Sequence, residues 1–468
     1  MSFTHVTQRI HLLRLALKSI AIGFIAGLAW NVDAAPLAPH KLLAIEGAQV
    51  FDGVHALGPR TILIKDGYIL AVSKSPAIPA DAERVNYRGK YIIPGIVSDH
   101  SHVGNSRGTE QGDRFYTREN VVRDLRQFQA YGVTTIFALG FNGPAFYDIR
   151  KEVAQQPALG AQLFGAGPGI GAVNGAPLIT ATEPQNDPVP SRPGNAEEAR
   201  AVVKAQAERK VDLIKIWADS LGGRAPQMSP EIYRAVIDEA HRHGLKVAAH
   251  ISDLSAAADL VASGVDIIAH GIRDQPANPA LITAMKQAGT GYIATIHLDE
   301  TNYLYAENPA WLEQPFLRHA LQAPLLAQFS NSEWRTRQLA SDGIASARAR
   351  VAMNLRNLRT LHEAGIRLGF GTDSGAFPQR VIGFAEHREL ELMTQAGFTP
   401  QQALTVATRD AAALMSLADR GTIAKGKRAD FVVLSADPLK DIRHTREIEA
   451  VWQFGLPVAG PIADYSPD

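Results

Sequence analysis

Between about Pro94 and Met415 the chain alternates short apolar runs with helix-patterned segments, and this alternation constrains the fold more than any other feature. The runs are Ile96–His102, Thr134–Leu139, Gln162–Ala166, Leu213–Trp217, Lys246–His250, Val265–His270, Gly291–Ile296 and Arg367–Asp373. Strands separated by helices imply βαβ units, because a parallel neighbour can only be reached through a crossover. Eight such units are what a (β/α)8 TIM barrel needs to close. One repeat shows the local logic. Ser229 caps a helix, Pro230 fits its first position and Glu231 suits its positive end. Ile232, Ala235, Val236 and Ala240 form one apolar stripe, and Gly244 stops the helix before the next strand.

On either side of this α/β region the pattern changes to short strands and tight turns. Leu42–Val50, Thr61–Lys65, Tyr68–Ser73 and Tyr91–Ile93 read as strands, and Asp66-Gly67 between two of them supplies the positive φ of a two-residue hairpin. Gly421–Leu434 and Ala450–Phe454 resume the same style. The expected organisation is a small β-sandwich domain built from residues 35–93 and 416–468, with the barrel, 94–415, inserted between its halves. A chain of 468 residues suits such a pair of domains better than one core. The 47 basic residues balance 47 acidic ones, which gives no reason to expect nucleic acid or an anionic membrane as partner. Cysteine is absent, so neither a disulfide nor a thiolate enters the chemistry.

Residues 1–34 differ in kind. Arg9, His11, Arg14 and Lys18 precede an uncharged apolar run, Ser19–Trp30, and Val32-Asp33-Ala34 offers compact residues for a signal peptidase. The run is short for a membrane span of about 20 residues. A cleaved signal peptide fits better than an uncleaved anchor. The expectation is an exported protein, periplasmic or secreted, with no stable membrane insertion after cleavage.

In a barrel of this kind the βα loops gather at the C-terminal ends of the strands, so polar residues there are informative. His100 and His102 end the first run, His250 the fifth, His270 the sixth and Asp373 the eighth, while Lys215 lies inside the fourth. Residues i and i+2 of a strand share a face, so His100 and His102 can approach one metal from one direction. Each residue alone has a plain structural explanation: a core histidine, an edge lysine, an ordinary turn. Six arriving in strand order point to a metal site.

This set resembles the amidohydrolase superfamily of metal-dependent hydrolases. The resemblance rests on Pro94-Gly95 before the His-x-His, on Gly371-Thr372-Asp373, and on the segment from Gly421 to Leu434 with its Ile423, Gly426-Lys427 and Ala429-Asp430-Phe431-Val432-Val433-Leu434. One departure is visible: Ser98 stands where the family usually has aspartate, with Asp99 one place later. By this resemblance His100, His102 and Asp373 hold one divalent metal, His250 and His270 a second, and Lys215, carrying CO2 as a carbamate, bridges both. Zinc is the leading expectation, with manganese or cobalt able to use the same ligands. A hydroxide between the metals would be the nucleophile, since metal binding lowers the pKa of water from ~16 to about 7. Asp373 would act as general base and then acid.

Asp212-Leu213-Ile214-Lys215-Ile216 and the spacing of the later histidines look most like the prolidase-like branch, which includes dipeptidases and N-acyl-amino-acid hydrolases such as ochratoxinase. The implied reaction is hydrolysis of an amide, in a dipeptide or acylated amino acid, next to a free carboxylate. Candidate substrate contacts are Arg273, His297 and Trp217, with Asp219 and Arg224 also in reach. Arg273 suits a substrate carboxylate. Residues 303–348 form a long insertion, read as a lid or a homo-oligomer contact. The alternatives are hydrolysis of cyclic amides, lactones or phosphoesters at the same metals, and a non-catalytic scaffold, which would have little use for six intact ligands.

Overall fold

The computed structural model describes residues 42–178 and 190–467. The expected signal peptide, residues 1–34, lies outside them. The chain opens with strands β1 (Leu43–Phe51), β2 (Ala56–Lys65), β3 (Tyr68–Ser73), β4 (Glu83–Asn86) and β5 (Tyr91–Pro94). The β2–β3 turn is the one expected: Asp66 and Gly67 have φ of 51° and 81°, the paired positive values that match strand twist. A Cβ on Gly67 would also meet the Phe454 ring at 2.7 Å.

Eight parallel strands follow: β6 (Ile96–Ser101), β7 (Val133–Ala138), β8 (Gln162–Gly165), β9 (Ile214–Trp217), β10 (Val247–His250), β11 (Ile267–Ala269), β12 (Gly291–Ile293) and β13 (Leu368–Gly369). β6, β7 and β8 form one ladder and β9 to β13 another. Backbone bonds connect their edges. Asp212 N donates to Gly165 O at 3.0 Å, and on the other side Asp99 N donates to Phe370 O at 2.6 Å and His102 N to Ser374 O at 2.7 Å. The result is a TIM-barrel-like α/β fold. β6, β7 and β9 are buried along their whole length, as strands covered on both faces should be.

All eight apolar runs become strands, but the later ones are shorter than expected. His270 and Asp373 have φ of 81° and 61°, so the chain leaves the extended conformation before reaching them. A short strand pair missed in the sequence, Ile170–Gly171 against Ile216–Trp217, lies beside β9. Between strands the caps form as read: Ser229 Oγ accepts from Ile232 N at 3.3 Å at the head of the Pro230–Arg242 helix.

The chain ends with β14 (Phe431–Leu434), β15 (Ile448–Gln453) and β16 (Leu456–Ala459). β14 pairs antiparallel with β5, Phe431 opposite Pro94, which joins the two ends of the chain in the order β16-β15-β14-β5-β1-β2-β3, with β4 on β1. The expected sandwich is therefore one hydrogen-bonded sheet. A register shift between Ile45 and Ala48 marks a bulge, which bends β1. Ile69 N and Ala429 N then bond to Lys427 O and Gly67 O. Ile45, Ile62, Ile92, Phe431 and Val433 fill the core so enclosed.

The insertion at 303–348 is mostly short helices resting on the first barrel helix, Arg118–Ala130. Gln127 Nε2 donates to both Ala320 O and Ile382 O at 2.9 Å, and the Tyr131 hydroxyl to Phe316 O at 2.8 Å. Among the described residues no helix is long and apolar enough to cross a membrane.

Candidate metal centre

The five polar residues singled out at strand ends and Lys215 within the fourth strand converge. Asp373 Oδ1 lies 3.0 Å from His102 Nε2 and 3.2 Å from His100 Nε2. The ring of His270 is 4.4 Å from that of His100 and 4.4 Å from that of His250. Lys215 Nζ stands 3.5 Å from His100 Nε2. His100, His270 and Asp373 each offer a ligand atom within 4.8 Å of the others.

Local structure explains this convergence. Period two on β6 aims His100 and His102 to one side. Strained positive φ at His270, Thr295 and Asp373 turns side chains where an extended strand would not. The 371–375 loop is held from behind, where Thr372 Oγ1 and Ser374 Oγ donate to Glu386 Oε1 at 2.6 and 2.7 Å. Close approach explains its glycines, since a Cβ on Gly375 would meet His102 O at 2.1 Å. His102 Nδ1 faces Gly140 O at 3.2 Å. A carbonyl only accepts, so with a cation on Nε2 in place of a proton shared with Asp373, Nδ1 would carry the proton and donate it to Gly140 O. His270 Nδ1 rests on Thr295 Oγ1 at 2.9 Å. Both nitrogens of His250, Nδ1 of His100 and Oδ1 of Asp219 are buried without a hydrogen-bond partner. The last lies 3.6 Å from His250 Nε2.

Burial pushes the His100 imidazole down to about 3 and those of His250 and His270 well below their usual value, so all three stay neutral, the form that binds metal. Burial also lowers the Lys215 amine to about 7. Burial alone would raise Asp373, but Arg380 and the surrounding imidazoles outweigh it and hold the carboxylate ionised.

A family model, the amidohydrolase family, matches residues 91–457. The chain belongs to the amidohydrolase family. It is thus a hydrolase acting on C–N bonds of small molecules. Imidazolonepropionase of Chromobacterium violaceum is 25% identical, over 86% of this chain and 90% of that one. Ochratoxinase of Aspergillus niger is 26% identical over 57% of this chain and 50% of its own length. Among solved structures, a Xaa-Pro dipeptidase with bound methionine shares the fold with a TM-score of 0.72 at 21% identity, covering 89% of this chain and 99% of that one.

In this amidohydrolase the remaining candidates divide by what they touch. Trp217 is buried, wedged against Gly140 and Gly169 and stacked on Phe141 at 4.8 Å; Phe141 in turn lies 5.2 Å from the His102 ring. Arg273 bonds Asp299 at 3.2 Å and Ile251 O at 3.0 Å. His297 Nδ1 meets Glu300 at 3.0 Å while its Nε2 is buried and unpartnered. Asp219 accepts from Ser252 Oγ at 2.5 Å, and Arg224 is exposed, bonding Leu221 O. Ser98, at the departing position, bonds Ser101 at 2.6 Å, while Asp99 Oδ2 accepts from Phe370 N and ties β6 to β13. Sequence reasoning missed Arg380, which bonds Asp373 Oδ2. Its one signal was a cation seven residues beyond Asp373, in a loop without periodicity.

Proposed function

We propose that this chain hydrolyses an amide bond next to a free carboxylate, in a dipeptide or an N-acyl amino acid, at a pair of divalent cations set in a (β/α)8 barrel. Lys215 carries the reading. Its amine is wholly buried, and among the described residues it has no carboxylate within ion-pair distance. A buried unpaired ammonium is costly. A neutral amine can instead attack CO2 and release a proton, giving an anionic carbamate that suits the space between two cations. The donor set fits this: four imidazoles, one ionised carboxylate, and two buried His250 nitrogens that lack a hydrogen-bond partner. His100, His102 and Asp373 would hold one ion, His250 and His270 the other, with Lys215 between them. Mixed imidazole and oxygen donors favour zinc.

When bound, the cations supply an acidified water and polarise the scissile carbonyl. Asp373 takes the proton of the attacking water and returns one to the leaving nitrogen. His270, fixed by Thr295, and His102, fixed by Gly140 O, keep the donor geometry from relaxing. Export, with cleavage after Ala34, and the domain division at residues 93 and 415 complete the proposal.

The test is a screen of zinc-loaded protein against dipeptides and N-acyl amino acids. Hydrolysis that chelator abolishes and zinc restores is expected. Turnover confined to lactones or phosphoesters would favour the other reading of the same site, and turnover undiminished in Lys215→Ala would contradict the carbamate.

A further inference from the structure

We infer that Arg380, on the loop after the eighth barrel strand, is the residue that recognises the substrate's carboxylate, and that Arg273 is a structural anchor. The inference rests on the amide-hydrolase reading above and goes further by assigning its specificity to one side chain.

The two arginines differ in what they have left to give. Arg273 donates to Asp299 Oδ2 and Ile251 O, and the other oxygen of Asp299 is taken by Arg350 at 2.8 Å. Arg273 Nε has no hydrogen-bond partner, but it is buried, and both terminal nitrogens are engaged within that cluster. Arg380 makes a single side-chain hydrogen bond among the described residues, from Nη1 to Asp373 Oδ2. A guanidinium has five N–H donors in a planar fork, so an edge of Arg380 remains for a ligand. Its side chain is 16% exposed, and it borders a cleft of about 40 Å³ together with Ser106, Arg123 and Gln322. Its charge lies 4.6 Å from the ring centre of Phe377, which is 42% exposed on the same loop. Arg380 is therefore reachable from outside while touching the carboxylate at the heart of the site.

Reach also fits Arg380. In an N-acyl amino acid the scissile carbonyl carbon and the carboxylate carbon are three bonds apart, about 3–4 Å. A cation that holds the carboxylate must then adjoin the group that works on the carbonyl. Arg380 bonds the carboxylate of Asp373 directly, and a bidentate contact on its remaining edge would orient the amide as well as bind it.

The test compares N-acetyl-L-phenylalanine with its C-terminal carboxamide on zinc-loaded wild type, Arg380→Ala, Arg380→Lys and Arg273→Lys, each checked for native circular dichroism. Wild type is expected to favour the acid by about a hundredfold in kcat/KM, the scale of one bidentate charged contact. Arg380→Ala should bring that ratio near one, mostly through KM, with Arg380→Lys between and Arg273→Lys unchanged. Calorimetric binding of N-acetyl-L-phenylalanine should weaken by a similar factor in Arg380→Ala. A preference for the acid that survives in Arg380→Ala, or a wild type that cleaves both compounds equally, overturns the inference and leaves the hydrolase reading standing. Should wild type cleave neither, the hydrolase reading is what fails for this substrate. Calorimetry then decides alone: binding lost in Arg380→Ala supports the role of Arg380, and equal binding refutes it.

Discussion

Lys215 and Trp217 stand two apart on one buried strand, and their proximity, Nζ 5.4 Å from the indole, shows how chemistry and packing share a face. Trp217 stacks on Phe141, whose ring in turn lies against that of His102. A Cβ on Gly140 or Gly169 would sit 2.4 or 2.3 Å from the indole, so the tryptophan fills its space completely. Trp217→Ala should lower unfolding free energy by about 3–5 kcal/mol, read by urea denaturation; a loss below about 1 kcal/mol would mean the site collapses without cost. The six convergent residues were legible in the sequence because each is tied to the end or face of an apolar strand. Arg380 was not, because its reach to Asp373 depends on how the 375–383 loop turns back over the barrel. The structural engagement of Arg273 was equally hidden, since Asp299 and Arg350 lie far along the chain from it.

Elements were legible in kind and less so in extent. Ser229, Pro230 and Gly244 delimit their helix because caps act locally. The ends of the later strands were misplaced because tertiary demands on His270 and Asp373 override extended propensity. Between elements, His387 is the clearest joint. From the Phe384–Gln395 helix its Nε2 bonds Tyr131 O and its Nδ1 the Thr445 hydroxyl, both at 2.9 Å. Burial pushes its imidazole down to about 3, with nearby Arg446 adding to the effect and the Tyr131 bond opposing it. Below pH 6.5 the unfolded chain takes up a proton that the folded chain refuses until about pH 3, so His387 subtracts stability as pH falls through that window. Relative to His387→Gln, wild type should lose up to roughly 1.4 kcal/mol per pH unit on acidification. Urea midpoints compared at pH 7, 6 and 5 check this, and parallel losses in both proteins would contradict it.

At the scale of the whole molecule, β14 pairing with β5 brings the two ends of the described chain into one sheet with its own core, apart from the helices and strands that carry the site. That arrangement was legible because the strand-rich style of the first segment resumes near the C terminus. The single continuous sheet was not, because a bulge at Gly47 and closure between β3 and the 426–429 turn depend on contacts that no local pattern encodes. Family membership and the convergence of six residues from five strands or their loops support the central proposal, that the site binds two cations. Metal content by inductively coupled plasma mass spectrometry on protein purified after loading with zinc and bicarbonate tests it most directly. Two zinc ions per wild-type chain are expected, falling to one or none in Lys215→Ala. A natively folded wild type that holds no zinc, or a Lys215→Ala variant that keeps both ions, would contradict it.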